Sequence, residues 1–158
     1  MKLKALDTAT VLHRVELSSH YDGLTKSGPA WVEAEIKAGG HLNPELVTAV
    51  EAVGLSQEIA ADERKGMPAP ERIEAERAAN LDAGNRIIKA HYDYCVVSWS
   101  TNIIDAETGS PIDPNWDNFW DLFNANIPDV ALWVSGIPKR AAKISDFIRA
   151  KDVESEKN

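Results

Sequence analysis

The stretch Val11-Leu12-His13-Arg14-Val15-Glu16-Leu17 decides that the chain is not purely helical. Its residues alternate with period two, so Val11, His13, Val15 and Leu17 fall on one side of an extended strand and Leu12, Arg14 and Glu16 on the other. That is the pattern of a half-buried strand. After a turn-rich link over 18–29, a second run repeats it, with Trp31, Glu33 and Glu35 on one side and Val32, Ala34 and Ile36 on the other. Two strands alone are marginal in water, so the pair must find further pairing or pack on a helix.

Helical signals follow. Gly39-Gly40 ends the second strand, and Asn43-Pro44 opens a helix with a good N-cap and a proline at the first helical position. Leu46, Val50, Val53 and Ile59 recur at roughly helical spacing and predict an apolar stripe as far as Lys65. Gly66-Met67-Pro68-Ala69-Pro70 is the clearest break, either a linker between two helices or a boundary between an α/β lobe and a helical lobe. Helical character resumes from Pro70 towards Trp99. Its first half, Glu71 to Asn80, reads as solvated and ion-paired, and its second half, with Leu81, Ile87, Ile88, Tyr92 and Cys95, is expected to pack. The end of that segment, Cys95-Val96-Val97-Ser98-Trp99, has strand propensity as well.

Residues 103–113 read as a small hairpin or Ω-type loop, with Gly109 supplying a positive φ. Asp113 is expected to cap a helix from about Pro114 to Asn126. Pro128 restarts helix through Val134, and Pro138 either kinks it or starts another that ends near Lys151. The fold class is therefore α+β, predominantly helical: a short N-terminal β element, then about five helices with a small hairpin near 100–113. The expected spans are 1–66 for hairpin plus helix, 67–151 for the helical lobe and 152–158 for a charged tail, within one compact domain.

At 158 residues, with 44% apolar and 27% charged, the chain can bury a substantial core and is not of disordered composition. Its 25 acidic against 17 basic residues give a net charge of −8, which repels a phosphate backbone and argues against nucleic acid as a partner. The strongest basic group, Lys139-Arg140 with Lys143, reads as a solvated helix face. Met1-Lys2-Leu3-Lys4 is followed by no apolar core, so no secretory signal is expected. No apolar run approaches the roughly 20 residues of a membrane span, and a cytoplasmic protein is expected.

Chemistry-bearing motifs are absent. There is no glycine-rich phosphate loop and no G-x-S-x-G elbow. The four histidines, His13, His20, His41 and His91, show no metal-ligand spacing, and one cysteine cannot build a thiolate zinc site. Asp105, Glu107 and Asp113 lack the calcium-loop pattern and read as turn and helix caps. Cys95 lies in an apolar run, where a buried small hydrophobe is expected; as a nucleophile it needs a partner such as His91, four residues earlier. No catalytic residue, cofactor or metal is assigned.

Trp116, Phe119, Trp120 and Phe123 have i, i+3, i+4, i+7 spacing and form one stripe on one helix face, with Trp133 on the next segment. The stripe is either the core of the helical lobe or a partly exposed docking surface, since Trp and Phe are favoured interface anchors. The neighbouring Asp113, Asp117, Asp121 and Asp129 argue against stacking on nucleic-acid bases, which calls for basic surroundings. For partner contact the candidates are Trp116, Trp120, Phe123 and Trp133, with Lys139 and Arg140 at the rim.

Over residues 80–158 the order of elements resembles the tail assembly chaperones of long-tailed bacteriophages. The matching residues are Val96-Val97-Ser98-Trp99 at the end of a helix, a turn with Asp105, Gly109, Pro111 and Ile112, and the helix Trp116 to Phe123. Pro128, Phe147 and the terminal Glu156-Lys157-Asn158 complete the match, whereas Gly39-Gly40 and the charged stretch Glu71 to Asn80 have no counterpart. The resemblance implies a small, mostly helical, non-enzymatic protein. It would hold the hydrophobic segments of the tape-measure protein soluble until tail-tube protein polymerises around them. It would then leave, acting in the bacterial host cytoplasm without entering the mature virion, and homo-oligomers are open to it. A rival reading is an acidic phage-encoded inhibitor or DNA mimic that binds a host protein. That reading predicts carboxylates along one face, whereas Arg64, Lys65, Arg72 and Arg77 interleave them. A third, a small hydrolase, would draw on His91, Tyr92 and Cys95.

Overall fold

The third strand that the first two require comes from the far end of a long helix. The computed structural model describes residues 9–17 and 21–157; Met1-Lys2-Leu3-Lys4, His20 and Asn158, used in the sequence reading, lie outside them. In chain order it contains β1 (Thr10–Glu16), β2 (Trp31–Lys37), a short 3-10 turn (Gly40–Leu42), α1 (Pro44–Arg64), α2 (Ala69–Cys95), β3 (Val96–Thr101), α3 (Trp116–Phe123), α4 (Pro128–Ala142) and α5 (Ile144–Lys157). The strands form one antiparallel sheet in the order β1-β2-β3. This is the α+β, mostly helical architecture that the patterning implies.

Alternation sorts the sheet into two faces. Val11, His13 and Val15 pair with Ile36, Ala34 and Val32, and Trp99 and Thr101 continue that face on β3. Val32, Ala34 and Ile36 are fully buried. The other face carries Leu12, Arg14, Glu33 and Glu35, with the Arg14 guanidinium 4.6 Å from the Trp31 ring centre and 3.1 Å from Glu33. Where β3 leaves the ladder, side chains replace its backbone. Trp31 N–H donates to Asn102 Oδ1 at 2.8 Å, and the Thr101 hydroxyl donates to Trp31 C=O at 2.7 Å. Asn102 Nδ2 also donates to the carbonyls of Ser27 (2.9 Å) and Pro29 (2.8 Å), fastening the β1–β2 connection.

The buried face of the sheet meets α3, α4 and α5 around an aromatic centre. Trp133 lies 5.4 Å from Phe119 and 6.2 Å from Trp99, and Trp99 lies 5.8 Å from Phe119, between ring centres. Each such pair adds about 0.5–1.5 kcal/mol beyond its buried area. Val130, Val134, Ile137 and Phe147 complete the surround.

The break at residues 66–68 is the turn between α1 and α2, which pack antiparallel as a hairpin. Its base joins the body through Leu46, Ala90, Cys95 and Ala141. Here two expectations fail: Ile59 and Leu81 are 54% and 67% exposed. At their height only the two helices remain, joined by a narrow seam with Val53 and Ala83, so each outward face meets water. Asn43 caps α1 as the sequence implies, accepting from Leu46 N–H at 3.3 Å.

Several boundaries also differ from the sequence reading. The helix expected to reach Trp99 ends at Cys95, because Val96 and Val97 are β-branched and Ile36 of β2 pairs with Val96, Val97 being the extra residue where the register shifts between Glu35 and Ile36. Asn115, rather than Asp113, caps α3, accepting from Asn118 N–H at 2.9 Å, while Asp113 C=O accepts from Asn118 Nδ2. That helix stops at Phe123 and the chain turns through Asn126 at φ 60°. Pro138 starts no new helix: it sits inside an unbroken α4, and the break falls at Lys143 (φ −85°, ψ 80°). The charged segment from Asp152 continues α5 to Lys157. The hairpin-like loop is as expected, with Gly109 at φ +68° and its N–H bonded to Asp105 C=O at 2.8 Å.

Candidate functional site

The stripe on α3 divides between core and surface. Phe119 is 1% exposed and, with Leu122, faces the sheet. Trp116, Trp120 and Phe123 are half-buried and form a row, with ring centres 5.4 Å apart for Trp116–Trp120 and 5.6 Å for Trp120–Phe123. α2 supports one end of this row. Tyr92 meets Trp116 edge-on at 5.0 Å, and Lys89 Nζ stands 4.5 Å from the Trp116 ring centre while pairing with Asp93 at 2.8 Å. Asp117 and Asp121, one turn apart and exposed, flank the row on α3 itself.

At the foot of the row lies a crevice of about 100 Å³ where three helices converge. α2 contributes Ile88, His91 and Tyr92, α3 contributes Phe119 and Phe123, and α4 contributes Val134, Ser135, Ile137 and Pro138. The few polar atoms on these walls are engaged locally. His91 Nδ1 bonds its own helix at Ile87 C=O (2.9 Å), Tyr92 Oη accepts from Trp99 Nε1 (3.3 Å), and Ser135 Oγ donates to Leu132 C=O (3.2 Å). Small-molecule sites usually span about 300–1,000 Å³, so an apolar-lined space this small fits one apolar side chain better than a ligand.

Of the residues singled out for partner contact, Trp116, Trp120 and Phe123 are brought together at the surface. Trp133 is not: it is fully buried, its ring packed among Trp99 and Phe119 and its indole N–H donated to His13 C=O at 3.0 Å. Lys139, next to Pro138, is exposed. Arg140 points elsewhere, with Nε 3.5 Å from Asp146 and Nη2 3.5 Å from Leu12 C=O. Ile88, Lys89, Val134, Ser135 and Pro138 were not singled out, because nothing in their local spacing says which helices converge.

Cys95 is fully buried, and that burial pushes its thiol up to about 11, with Lys37 pulling weakly the other way. Its sulfur lies 3.7 Å from Asn43 Nδ2, and no contact joins it to His91 among the described residues. No group of three His, Cys, Asp or Glu converges on a metal position among the described residues. No described helix is long and apolar enough to cross a membrane. On the α1–α2 hairpin, carboxylates pair with bases one turn away, Asp62 with Lys65 at 2.8 Å and Glu74 with Arg77 at 3.3 Å. No family model, curated protein or solved structure matches the chain.

Proposed function

We propose that this protein is a tail assembly chaperone of a long-tailed bacteriophage, with the tape-measure protein as its client and tail-tube protein as the subunit that displaces it. One observation carries the reading beyond the order of elements: a row of three half-buried aromatic rings lies over an apolar-lined crevice of about 100 Å³ in an acidic chain of net charge −8. An apolar groove of this kind takes the apolar stripe of a client helix, one anchor side chain entering the crevice and its neighbours lying across Trp116 and Trp120. Net negative charge limits aggregation of a complex that holds a sticky client. The protein acts in the host cytoplasm and is left out of the virion.

Co-expression with a tape-measure fragment from the same genome tests this. The fragment is expected to stay soluble and co-purify only when the protein is present, and Trp120→Glu is expected to abolish both while the protein keeps its far-UV spectrum and melting temperature. A fragment that precipitates beside folded wild-type protein overturns the reading and leaves the acidic inhibitor of a host protein in its place.

A further inference from the structure

A second surface, away from the aromatic row, lies along β1. Leu17 N–H donates to Ala30 C=O at 2.9 Å in the β1–β2 ladder. With that register, odd-numbered residues of β1 turn their N–H and C=O towards β2, and Thr10, Leu12, Arg14 and Glu16 turn theirs outward. Among the described residues the outward groups have one contact, a long one from Arg140 Nη2 to Leu12 C=O at 3.5 Å. β1 is thus, among the described residues, an open sheet edge, which natural proteins normally cover or charge. Beside its first half runs a groove of about 440 Å³, walled on the far side by α5 through Asp146, Arg149, Ala150 and Val153.

Two features define what fits the groove. Leu12 and Val153 are 54% and 46% exposed and give it apolar ground. Its charge is cationic: Arg149 is exposed with no ion pair among the described residues, and Arg140 is shared with Asp146 only at 3.5 Å, where Arg140 Nε and Asp146 Oδ2 each lack a hydrogen bond. In a chain of net charge −8, a groove with two arginines against one aspartate is a local reversal of sign.

We propose that β1 and α5 form a β-augmentation site for an extended partner segment that carries a carboxylate. Only an extended backbone repeats donors and acceptors at the two-residue spacing of the open edge. Opposite Leu12 it places an apolar side chain, and its carboxylate reaches Arg149 and Arg140 in charge-assisted hydrogen bonds. The proposal is independent of the chaperone reading.

The test uses the full chain and a fluorescein-labelled hexapeptide of alternating valine and threonine with one central glutamate, alongside its counterpart with lysine there. Fluorescence anisotropy is expected to show the glutamate peptide binding and the lysine peptide binding about tenfold more weakly or not at all. Arg149→Glu, at an exposed position, is expected to reverse that preference. Leu12→Pro removes an outward N–H without touching the inward ladder, and is expected to abolish binding of both peptides. Hydrogen exchange should show the Leu12 and Arg14 amides unprotected in the free protein and slowed by the glutamate peptide. Protection of those amides in free monomer, or in a dimer found by light scattering, overturns the proposal, because the edge is then already covered. Equal binding of both peptides to wild type and to Arg149→Glu overturns it as well.

Discussion

His13 and Trp133 exchange hydrogen bonds: His13 Nε2 donates to Trp133 C=O at 2.7 Å, and Trp133 Nε1 donates to His13 C=O at 3.0 Å. Their rings lie almost parallel, 5° apart in tilt with centres at 6.5 Å. The pair ties the first strand to α4 across nearly the whole sequence, and Gly136 makes room for it. A Cβ at Gly136 would stand 3.0 Å from His13 Cε1 and 3.2 Å from Nε2, so the hydrogen-bonded ring would have to give by a few tenths of an ångström.

Gly136→Ala is therefore expected to lower stability by about 1 kcal/mol or more, although alanine is favoured over glycine in a helix by about that amount. In a His13→Ala background the same substitution is expected to be stabilising, since the obstruction is gone and the helix preference remains. Urea unfolding of the four proteins measures both signs. A Gly136→Ala protein more stable than wild type by about 1 kcal/mol in the His13 background would show that the ring moves aside freely.

Acidification acts through the same histidine. Burial lowers the His13 pKa, the Trp133 carbonyl opposes that in part, and Arg140 lowers it further. As pH falls the unfolded chain takes up this proton first, near its ordinary pKa of about 6.5. The contribution is thus fully present above about pH 6.5 and is lost as pH drops through the lower folded value. His13→Gln, which keeps an amide donor for Trp133 but does not titrate, should show a smaller fall in melting temperature between about pH 7.5 and pH 5 than wild type. Equal falls in the two proteins would assign the acid sensitivity to other groups.

The fate of the two tryptophans on either side of Pro128 shows what sequence could and could not say. β1 and β2 are legible because their polar residues alternate with apolar ones, and that pattern survives without knowledge of the partner. β3 is only half legible: Val96 and Val97 favour a strand, but its partner β2 lies far upstream and leaves no local trace. Trp120 and Trp133 both read as aromatic anchors. Their difference lies in the neighbours, since Val130, Trp133, Val134, Ile137 and Ala141 form an uninterrupted helical stripe and are all buried. That stripe was available in the sequence as a burial signal. The crevice was not, because it exists only where three helices meet.

Asn43 offers a test of a buried junction. Its side chain caps α1 and donates to Ala38 C=O at 3.1 Å and Tyr94 C=O at 2.8 Å, joining the end of β2 to the end of α2. Asn43→Ala removes the cap and leaves two carbonyls without a donor, a loss expected at about 2–4 kcal/mol. Asn43→Ser restores an acceptor for the cap and should recover about 1 kcal/mol of it. A loss below about 1 kcal/mol for the alanine variant would mean that water satisfies both carbonyls.

Cys95 is expected to be chemically silent while the chain is folded. With the thiol pushed up to about 11 and the sulfur buried, almost no thiolate is present or reachable at about pH 8. A disulfide reagent such as dithionitrobenzoate should react slowly with native protein and rapidly in urea. Fast stoichiometric reaction without denaturant would show that the junction of β3 and α2 opens readily.

The crevice itself can be closed without touching the aromatic row. Ser135 is exposed at its mouth, and its hydroxyl makes one bond within its own helix. Ser135→Trp places an indole over the opening while Phe119, Val134 and Ile137 keep their packing. The variant should remain within about 0.5 kcal/mol of wild-type stability, as surface substitutions usually do. If one client side chain anchors in the crevice, this variant should fail to keep a tape-measure fragment soluble, as Trp120→Glu does. If Ser135→Trp still holds the fragment and Trp120→Glu does not, binding runs along the ridge of Trp116, Trp120 and Phe123 and the crevice is only a packing defect between helices.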